Sequence, residues 1–470
     1  MAGSWAAEAL TGARRRPYWL DTEEWPDAPE RLDPLRGGLE CDLAVVGGGY
    51  TGLWTALRAV ERDPGRRVVL LEAGRCGDEA SGRNGGFASA SLTHGFGNGV
   101  QRWPEELDVL DRLGTANLDA IGETISRHGI DCRWERTGEL TVATQPWQAA
   151  ELAVLAEQMR AHGHEVDLLD ETATRSAVHS PTYRAALREA QGTALVEPAR
   201  LAWGLRQACL DSGVRIVEGT YVRDVVRAGD GVRVVADAGS ARARQVVLAT
   251  NAFRPLLRRL RSMTVPVYDY VLMSEPLTRE QRAAVGWAGR EGIGDAANQF
   301  HYYRLTRDDR ILWGGYDAVY YAGSRIARSL EQSEETHGRL AAHFFETFPQ
   351  LEGLRFSHRW GGVIDTCSRF AAFFGTAWQG RVAYALGYTG LGVAATRFGA
   401  DVMLDLLHGE ETERTALRMV RERPLPFPPE PVRSLGINLT RRSIARADEQ
   451  GGRRDLWLRT LDRLGLGFDS

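Results

Sequence analysis

Three glycines, Gly47, Gly49 and Gly52, stand at G-x-G-x-x-G spacing, and an acid, Glu72, follows twenty-five residues after the first of them. This combination can hold a dinucleotide. Gly47 allows a tight turn, Gly49 lets backbone approach a pyrophosphate, and Gly52 lets a helix pack closely on a strand. Glu72 can accept hydrogen bonds from a ribose hydroxyl. The flanking residues supply the elements that must position these groups. An apolar run at 43–46 reads as a buried strand, 53–62 as a helix stopped by Asp63-Pro64-Gly65, and 68–71 as a second buried strand. The start of such a helix offers free N–H groups and a positive dipole end to phosphates.

Other chemistries are excluded or unsupported. The chain contains no lysine, which rules out a Schiff-base lysine, a lysine base and a Walker-type phosphate lysine. Five scattered cysteines, Cys41, Cys76, Cys132, Cys209 and Cys367, form no C-x-x-C pair and no zinc-type cluster, so no metal site is expected. Their usage fits a reducing compartment. With neither a compact apolar signal core nor an apolar run near 18 residues, the expectation is a cytoplasmic protein with no membrane partner. The formal net charge of −4 gives no global pull toward nucleic acid.

At 470 residues, 43% hydrophobic and 26% charged, the chain suits two or three globular domains. Residues 1–40, with Trp5, Trp19 and Trp25, read as an arm anchored by its aromatics. Residues 74–98, rich in Gly, Ser, Ala and Asn, read as a ligand-lining loop. Helices are expected at 103–128 (broken near Gly114), 147–163, 170–179, 199–213, 329–348 and 393–408. Strands are expected at 138–144, 214–218, 245–249, 266–273, 311–315 and 382–386. Gly229-Asp230-Gly231 marks a hairpin between 221–226 and 232–235. Strand signals near 45, 70, 247 and 384 imply a discontinuous dinucleotide domain, 41–95, 191–261 and 361–410. It is interrupted by a substrate-side domain of 96–190 and 262–360, with an extension at 411–470.

Four motifs together resemble the FAD-dependent amine and amino-acid oxidoreductases of the D-amino acid oxidase superfamily, and within it the γ-glutamylputrescine oxidase-like branch. They are 45–53 with Leu71-Glu72-Ala73; Ala80-Ser81-Gly82-Arg83-Asn84-Gly85-Gly86-Phe87; 247–252 with Tyr221-Val222 ahead of it; and Gly387-Tyr388-Thr389-Gly390-Leu391-Gly392. The resemblance implies an α/β fold in which a Rossmann-like FAD-binding domain is interrupted by a mixed α+β, antiparallel-sheet substrate domain. It also implies oxidation of a primary or secondary amine or amino acid by hydride transfer to flavin N5. The resulting imine is hydrolysed, and the flavin is reoxidised by oxygen or another acceptor. Gly47, Gly49, Tyr50, Thr51, Gly52, Glu72 and Ala73 would hold the adenosine and pyrophosphate end. Ser81, Gly82, Arg83, Asn84, Gly85, Gly86 and Phe87 would lie along the pyrophosphate and flavin. Val222 would meet adenine, with Thr250 and Asn251 near the cofactor. Backbone N–H groups of 389–391 would face the pyrimidine edge of the flavin.

Two departures from sarcosine-oxidising relatives matter. Their flavin-linking cysteine falls at Gly362 when register is taken from Trp360, with Cys367 displaced, which implies noncovalent FAD. Their lysine near flavin N5 falls at Trp313. On the substrate side, Tyr268 and Tyr270 share one strand face, and His94, Tyr303, Arg304, Trp313 and Asp317 join Tyr270 as candidate catalytic residues. Core packing is the competing role for each aromatic, and a salt bridge for Arg304. An NAD(P)H-dependent flavoprotein monooxygenase would share the first motif, yet no second strand–G-x-G-x-x-G–helix is found. A non-catalytic FAD-binding protein would not need the aromatic-lined second domain. The identity of the amine, oxidase against dehydrogenase, and oligomeric state are left open, with the arginine-rich 441–465 one surface that a partner could use.

Overall fold

The computed structural model describes residues 2–466, with side chains from 5 onward. Two large sheets organise it. In the first, strands Phe373–Ala377, Val382–Leu386, Gly239–Leu248, Gly37–Val46, Val68–Leu71 and Arg215–Val217 lie side by side in that order. All neighbours are parallel except the first pair. The expected hairpin, Val222–Ala228 with Gly231–Ala236, extends from Gly239–Leu248. Apolar strand residues buried on both faces are what a helix-covered parallel sheet requires. Helix Tyr50–Arg62 packs between Gly392–His408 and Pro198–Asp211. Arg58 and Arg62 tie it to Asp401 and Asp405 at 2.7–3.0 Å.

The second sheet runs Phe356–Thr366, Val265–Ser274, Ile311–Gly315, His301–Leu305, Gly292–Asp295, Glu139–Ala143, Ala185–Glu189, Val166–Leu169. One adjacent pair, Gly292–Asp295 with Glu139–Ala143, is parallel and the rest antiparallel. Helix Glu334–Thr347 covers one face, where Phe344, Phe345 and Phe348 pack with Tyr268, Tyr270, Tyr303 and Trp313. The other face looks toward the first sheet. Strand Phe356–Thr366 lies wholly in this sheet, so 361–366 belong here rather than with the first.

Two local expectations are corrected. Helix Leu107–Arg127 passes through Gly114 unbroken, because that glycine is a site of close approach: a Cβ there would sit 1.9 Å from the Ala90 carbonyl oxygen. The stretch 74–98 is not a plain loop. It contains a short helix, Ala80–Arg83, and strand Phe87–Ser89, which pairs with Thr193–Leu195. The arm's first helix, Ala2–Ala9, packs on Glu334–Thr347, and Tyr18 and Trp19 are buried. Among the described residues no helix is long and apolar enough to cross a membrane. All five cysteines are buried and free.

Candidate active site

A cavity of about 2590 Å³ lies between the two sheets. This is more than one drug-sized ligand needs, roughly 300–1,000 Å³. Gly47, Gly49, Tyr50, Thr51, Glu72, Ala73 and Val222 border one end. Ser81, Arg83, Asn84, Gly85 and Phe87 border the middle, with Thr250 and Asn251 opposite. Tyr388, Thr389, Gly390, Leu391 and Gly392 border the cavity as well, with the Tyr388 side chain against Thr51. Gly52, Gly82, Gly86 and Gly387 do not border it, and their work is packing: a Cβ on Gly52 would meet the Gly47 carbonyl oxygen at 1.8 Å.

The local hydrogen bonds show how this surface is built. Glu72 accepts from the backbone N–H of Gly48 at 2.6 Å and of Gly74 at 2.7 Å, while burial pushes its carboxyl upward. Each oxygen keeps a lone pair for a further donor. Ser81 Oγ accepts from the Tyr50 N–H at 2.9 Å, joining the middle segment to the start of helix Tyr50–Arg62. Asn84 is occupied locally: its amide donates to the Ala80 and Ser81 carbonyls and its Oδ1 accepts from Gly86 N–H. Arg83 pairs with Glu331 at 2.7 Å. In the 387–392 turn, Asp365 accepts from the N–H groups of Gly387 and Tyr388, and burial pushes its carboxyl up to about 7. Thr389 N–H donates to the Asp365 carbonyl and Leu391 N–H to that of Tyr388, both at 3.1 Å. Those two N–H groups, expected to face a flavin edge, therefore brace their own turn. The first-turn N–H groups of helix Gly392–His408, which lack intrahelical partners, are the donors left for a ligand.

An extended dinucleotide fits these residues. The glycine turn borders the cavity, helices Tyr50–Arg62 and Gly392–His408 begin side by side at it, and the Asn251 Oδ1 is a buried acceptor with no protein donor among the described residues. Cys367, by contrast, is fully buried outside the cavity lining, with its thiol 3.2 Å from the Ala371 carbonyl oxygen. Gly362 does border the cavity.

On the substrate side the expected strand alternation is present, with the tyrosines on the face away from the cavity. Tyr268 and Tyr270 point to the helix-covered face. There the Tyr270 hydroxyl meets the Tyr321 hydroxyl at 2.8 Å and the Leu330 carbonyl at 2.7 Å. Tyr303 lies in the same layer, bonded to the Tyr183 hydroxyl at 2.6 Å. Trp313 stacks beside it with ring centres 4.4 Å apart, so it is not the residue over the flavin position. Arg304 is buried and does not border the cavity; its Nη1 donates to the Val196 carbonyl at 2.6 Å. Burial lowers its pKa to about 10. It holds the segment around Gly86, whose Cβ, if present, would lie 2.6 Å from that nitrogen. Asp317 does border the cavity, but Arg339 and Thr336 already occupy its carboxylate. His94 also borders it, beside Phe370 with ring centres 6.4 Å apart. Burial holds its pKa down to about 4, so it is neutral at pH 7.

The cavity face of the same strand carries Val267, Asp269 and Val271. Asp269 accepts a 2.5 Å hydrogen bond from the Tyr302 hydroxyl and a 2.9 Å bond from the Tyr270 N–H. Burial pushes its carboxyl up to about 6. The Tyr302 ring is laid against Gly85, where a Cβ would come within 2.7 Å, and meets Phe87 edge-on at 5.9 Å. Asp269 is also paired across strands with Gly362. A carboxylate–phenol couple thus stands directly beside the 81–87 segment. A lone acid in the otherwise apolar run Pro266-Val267-Tyr268-Asp269-Tyr270-Val271 was the sequence signal for it.

Comparison with known proteins gives the family and the fold. The model of a family described as FAD dependent oxidoreductase (DAO) matches residues 42–406. Gamma-glutamylputrescine oxidoreductase of Escherichia coli (strain K12) is 31% identical over 411 residues, covering 84% of this chain and 90% of its own. The probable oxidoreductase OrdL of Haemophilus influenzae is 27% identical over 404 residues, 84% and 89% respectively. Among solved structures, glycine oxidase from Geobacillus kaustophilus superposes with a TM-score of 0.68 at 20% identity, over 82% of this chain and 99% of that one. L-proline dehydrogenase from P. horikoshii gives 0.66 at 16% identity, over 81% and 96%. The chain therefore belongs to the DAO family of FAD-dependent oxidoreductases, enzymes acting on CH–NH groups.

Proposed function

We propose that the chain oxidises a primary or secondary amine, of the kind named by its amine-oxidising relatives, with noncovalently held FAD. Gly47, Gly49, Glu72 and Ala73 hold the adenosine and pyrophosphate end. The 81–87 segment and the start of helix Gly392–His408 hold the flavin end. The observation that carries the reading is the Asp269–Tyr302 couple in the cavity wall against Gly85. An ionised carboxylate there attracts an ammonium, orients its carbon toward the flavin position, and accepts a proton at a carboxylate oxygen. A pKa near 6 leaves Asp269 ionised at neutral pH while still able to take that proton. Tyr302 keeps the carboxylate aimed by donating to its other side. When bound, FAD supplies the two-electron acceptor for hydride from the carbon bearing nitrogen. The substrate imine is then hydrolysed by water, and the electrons pass to oxygen or another acceptor. Noncovalent attachment is supported by Gly362 at the cavity and Cys367 away from it.

The test is a purified protein and an amine panel. The protein should be yellow and release its flavin on denaturation, and amines should reduce it anaerobically. Assays under air and with an artificial acceptor separate oxidase from dehydrogenase. Colourless protein that cannot be reconstituted with FAD, or holoenzyme reduced by no amine, sinks the reading.

A further inference from the structure

The family match ends at residue 406, yet the chain beyond it walls the same cavity. After residue 424 it is pinned by Ser368 Oγ donating to the Leu425 carbonyl (2.8 Å) and Phe427 N–H donating to the Ser262 carbonyl (2.7 Å). Glu430 accepts from the Tyr320 hydroxyl at 2.5 Å and the Gly323 N–H at 3.0 Å. Helix Val432–Glu449 follows and lines the cavity along one face. At its far end, Asp448 accepts from Asn298 and Gln299 at 2.7–3.0 Å. The chain turns at Gly452 against the Trp147 ring and returns as helix Leu456–Arg463. Arg102 closes the circuit on the Gly465 carbonyl at 2.8 Å. The extension is thus a roof on this chain's own cavity.

Ile437, Thr440, Arg441 and Ile444 form the cavity-lining face of the first roof helix, at i, i+3, i+4, i+7 spacing. Thr440 accepts from the Trp457 indole at 3.0 Å, which fixes the rotation of that helix against the second. Four arginines of the cavity wall are buried or half-buried. Arg83 is held by Glu331, Arg433 by Ser324 and Arg454 by Asp462. Arg441 makes no hydrogen bond or ion pair with any described residue. A guanidinium set half-buried between Ile437 and Ile444 on the cavity-lining face is a donor fork waiting for an acceptor.

We infer that Arg441 binds a carboxylate on the substrate, at the end remote from the amine that Asp269 receives. The inference rests on the amine-oxidation reading above and names its substrate class: an amine carrying a distant carboxylate. One planar fork matches a carboxylate in bidentate fashion, and set between isoleucines it favours a ligand of one such charge on an apolar chain. Asp269 stands on the sheet wall and Arg441 on the roof, so one molecule reaching both must carry its two charges apart.

Two measurements on the holoenzyme test this. Calorimetric titration with glutarate, a dicarboxylate that cannot be oxidised as an amine, should show binding to the parent enzyme. Glutaramide should bind weakly to parent and Arg441→Gln alike. The substitution should weaken glutarate by roughly tenfold or more, the loss expected when a charged hydrogen-bond partner is removed, with flavin content and circular dichroism unchanged. In turnover, Arg441→Gln should raise KM for ω-amino acids and leave KM for alkylamines of the same length, and kcat for both, in place. Arg441→Lys should recover part of the loss. Glutarate that fails to bind the parent, or binds both proteins equally, overturns the role of Arg441 even if amines are oxidised. Glutarate binding that depends on Arg441 in an enzyme that oxidises no amine overturns the functional reading instead.

Discussion

In the proposed function the chemistry turns on Asp269, a cavity-facing acid joined to a phenol beside the 81–87 segment. Its carboxyl is pushed up to about 6 by burial, from an ordinary value of 3.8. The sign of the pH effect follows. The ionised form binds the ammonium and takes its proton, so the rate is full above about 6 and falls as pH drops through that value. Asp269→Asn should remove this limb from the kcat/KM profile and lower the plateau by about 10²–10⁴, the usual contribution of a positioned proton acceptor. A carboxyl raised on folding costs stability above its folded pKa, and that cost is absent below its unfolded value. The Asn variant should therefore melt no lower than the parent at neutral pH. Lost activity together with a lowered melting temperature would mark Asp269 as a structural group instead. Cys367 makes the opposite case: Cys367→Ala should retain flavin as the parent does, measured by absorbance after gel filtration.

At the scale of elements, the 81–87 segment is clamped from three directions. Trp19 of the arm donates to the Asn84 carbonyl at 3.1 Å, Trp360 to that of Arg83 at 2.9 Å, and Arg304 to that of Val196, the strand neighbour of Gly86. Replacing Arg304 with Met leaves buried carbonyls without a donor, at about 1–3 kcal/mol. The expected result is FAD binding weakened by roughly tenfold to a hundredfold, by titration of apoprotein, while the pH limb of Asp269 stays where it was. This clamp also shows what the residues alone could and could not reveal. The glycine spacing, the acid at 72 and the strand at 266–273 were legible because they rest on local turn chemistry and period-two alternation. Which face of that strand meets the cavity was not. Tyr268 and Tyr270 look like site residues by type, yet helix Glu334–Thr347 arrives from far along the chain and buries them. Arg304 likewise looks like a site residue by type, whereas its partners are the carbonyls of Gly86 and Val196, far from it in the chain. Gly114 is a similar case, since the Ala90 carbonyl that crowds it lies outside its own helix.

For the whole molecule, the cavity belongs to neither sheet alone. Gly47, Glu72 and Val222 come from the first, Val267, Asp269 and Gly362 from the second, and the roof from the extension. The interruption of one sheet by the other was visible in the order of strand signals. The roof was not, since an arginine-rich tail without a covering partner in sequence reads as open surface, and only tertiary contacts turn it inward. A ligand spanning both sheets must couple them. FAD bound to the folded state alone stabilises it by about 2.7 kcal/mol at one hundred times its Kd, and this gain should spread beyond the glycine turn. Hydrogen exchange compared between apoprotein and holoenzyme should slow at 47–53 and also in strand Val265–Ser274, whose Asp269 faces the flavin end across Tyr302 and Gly85. Protection confined to the first sheet would mean that the two sheets fold independently of the cofactor, and that the wall carrying Asp269 is not set by its binding.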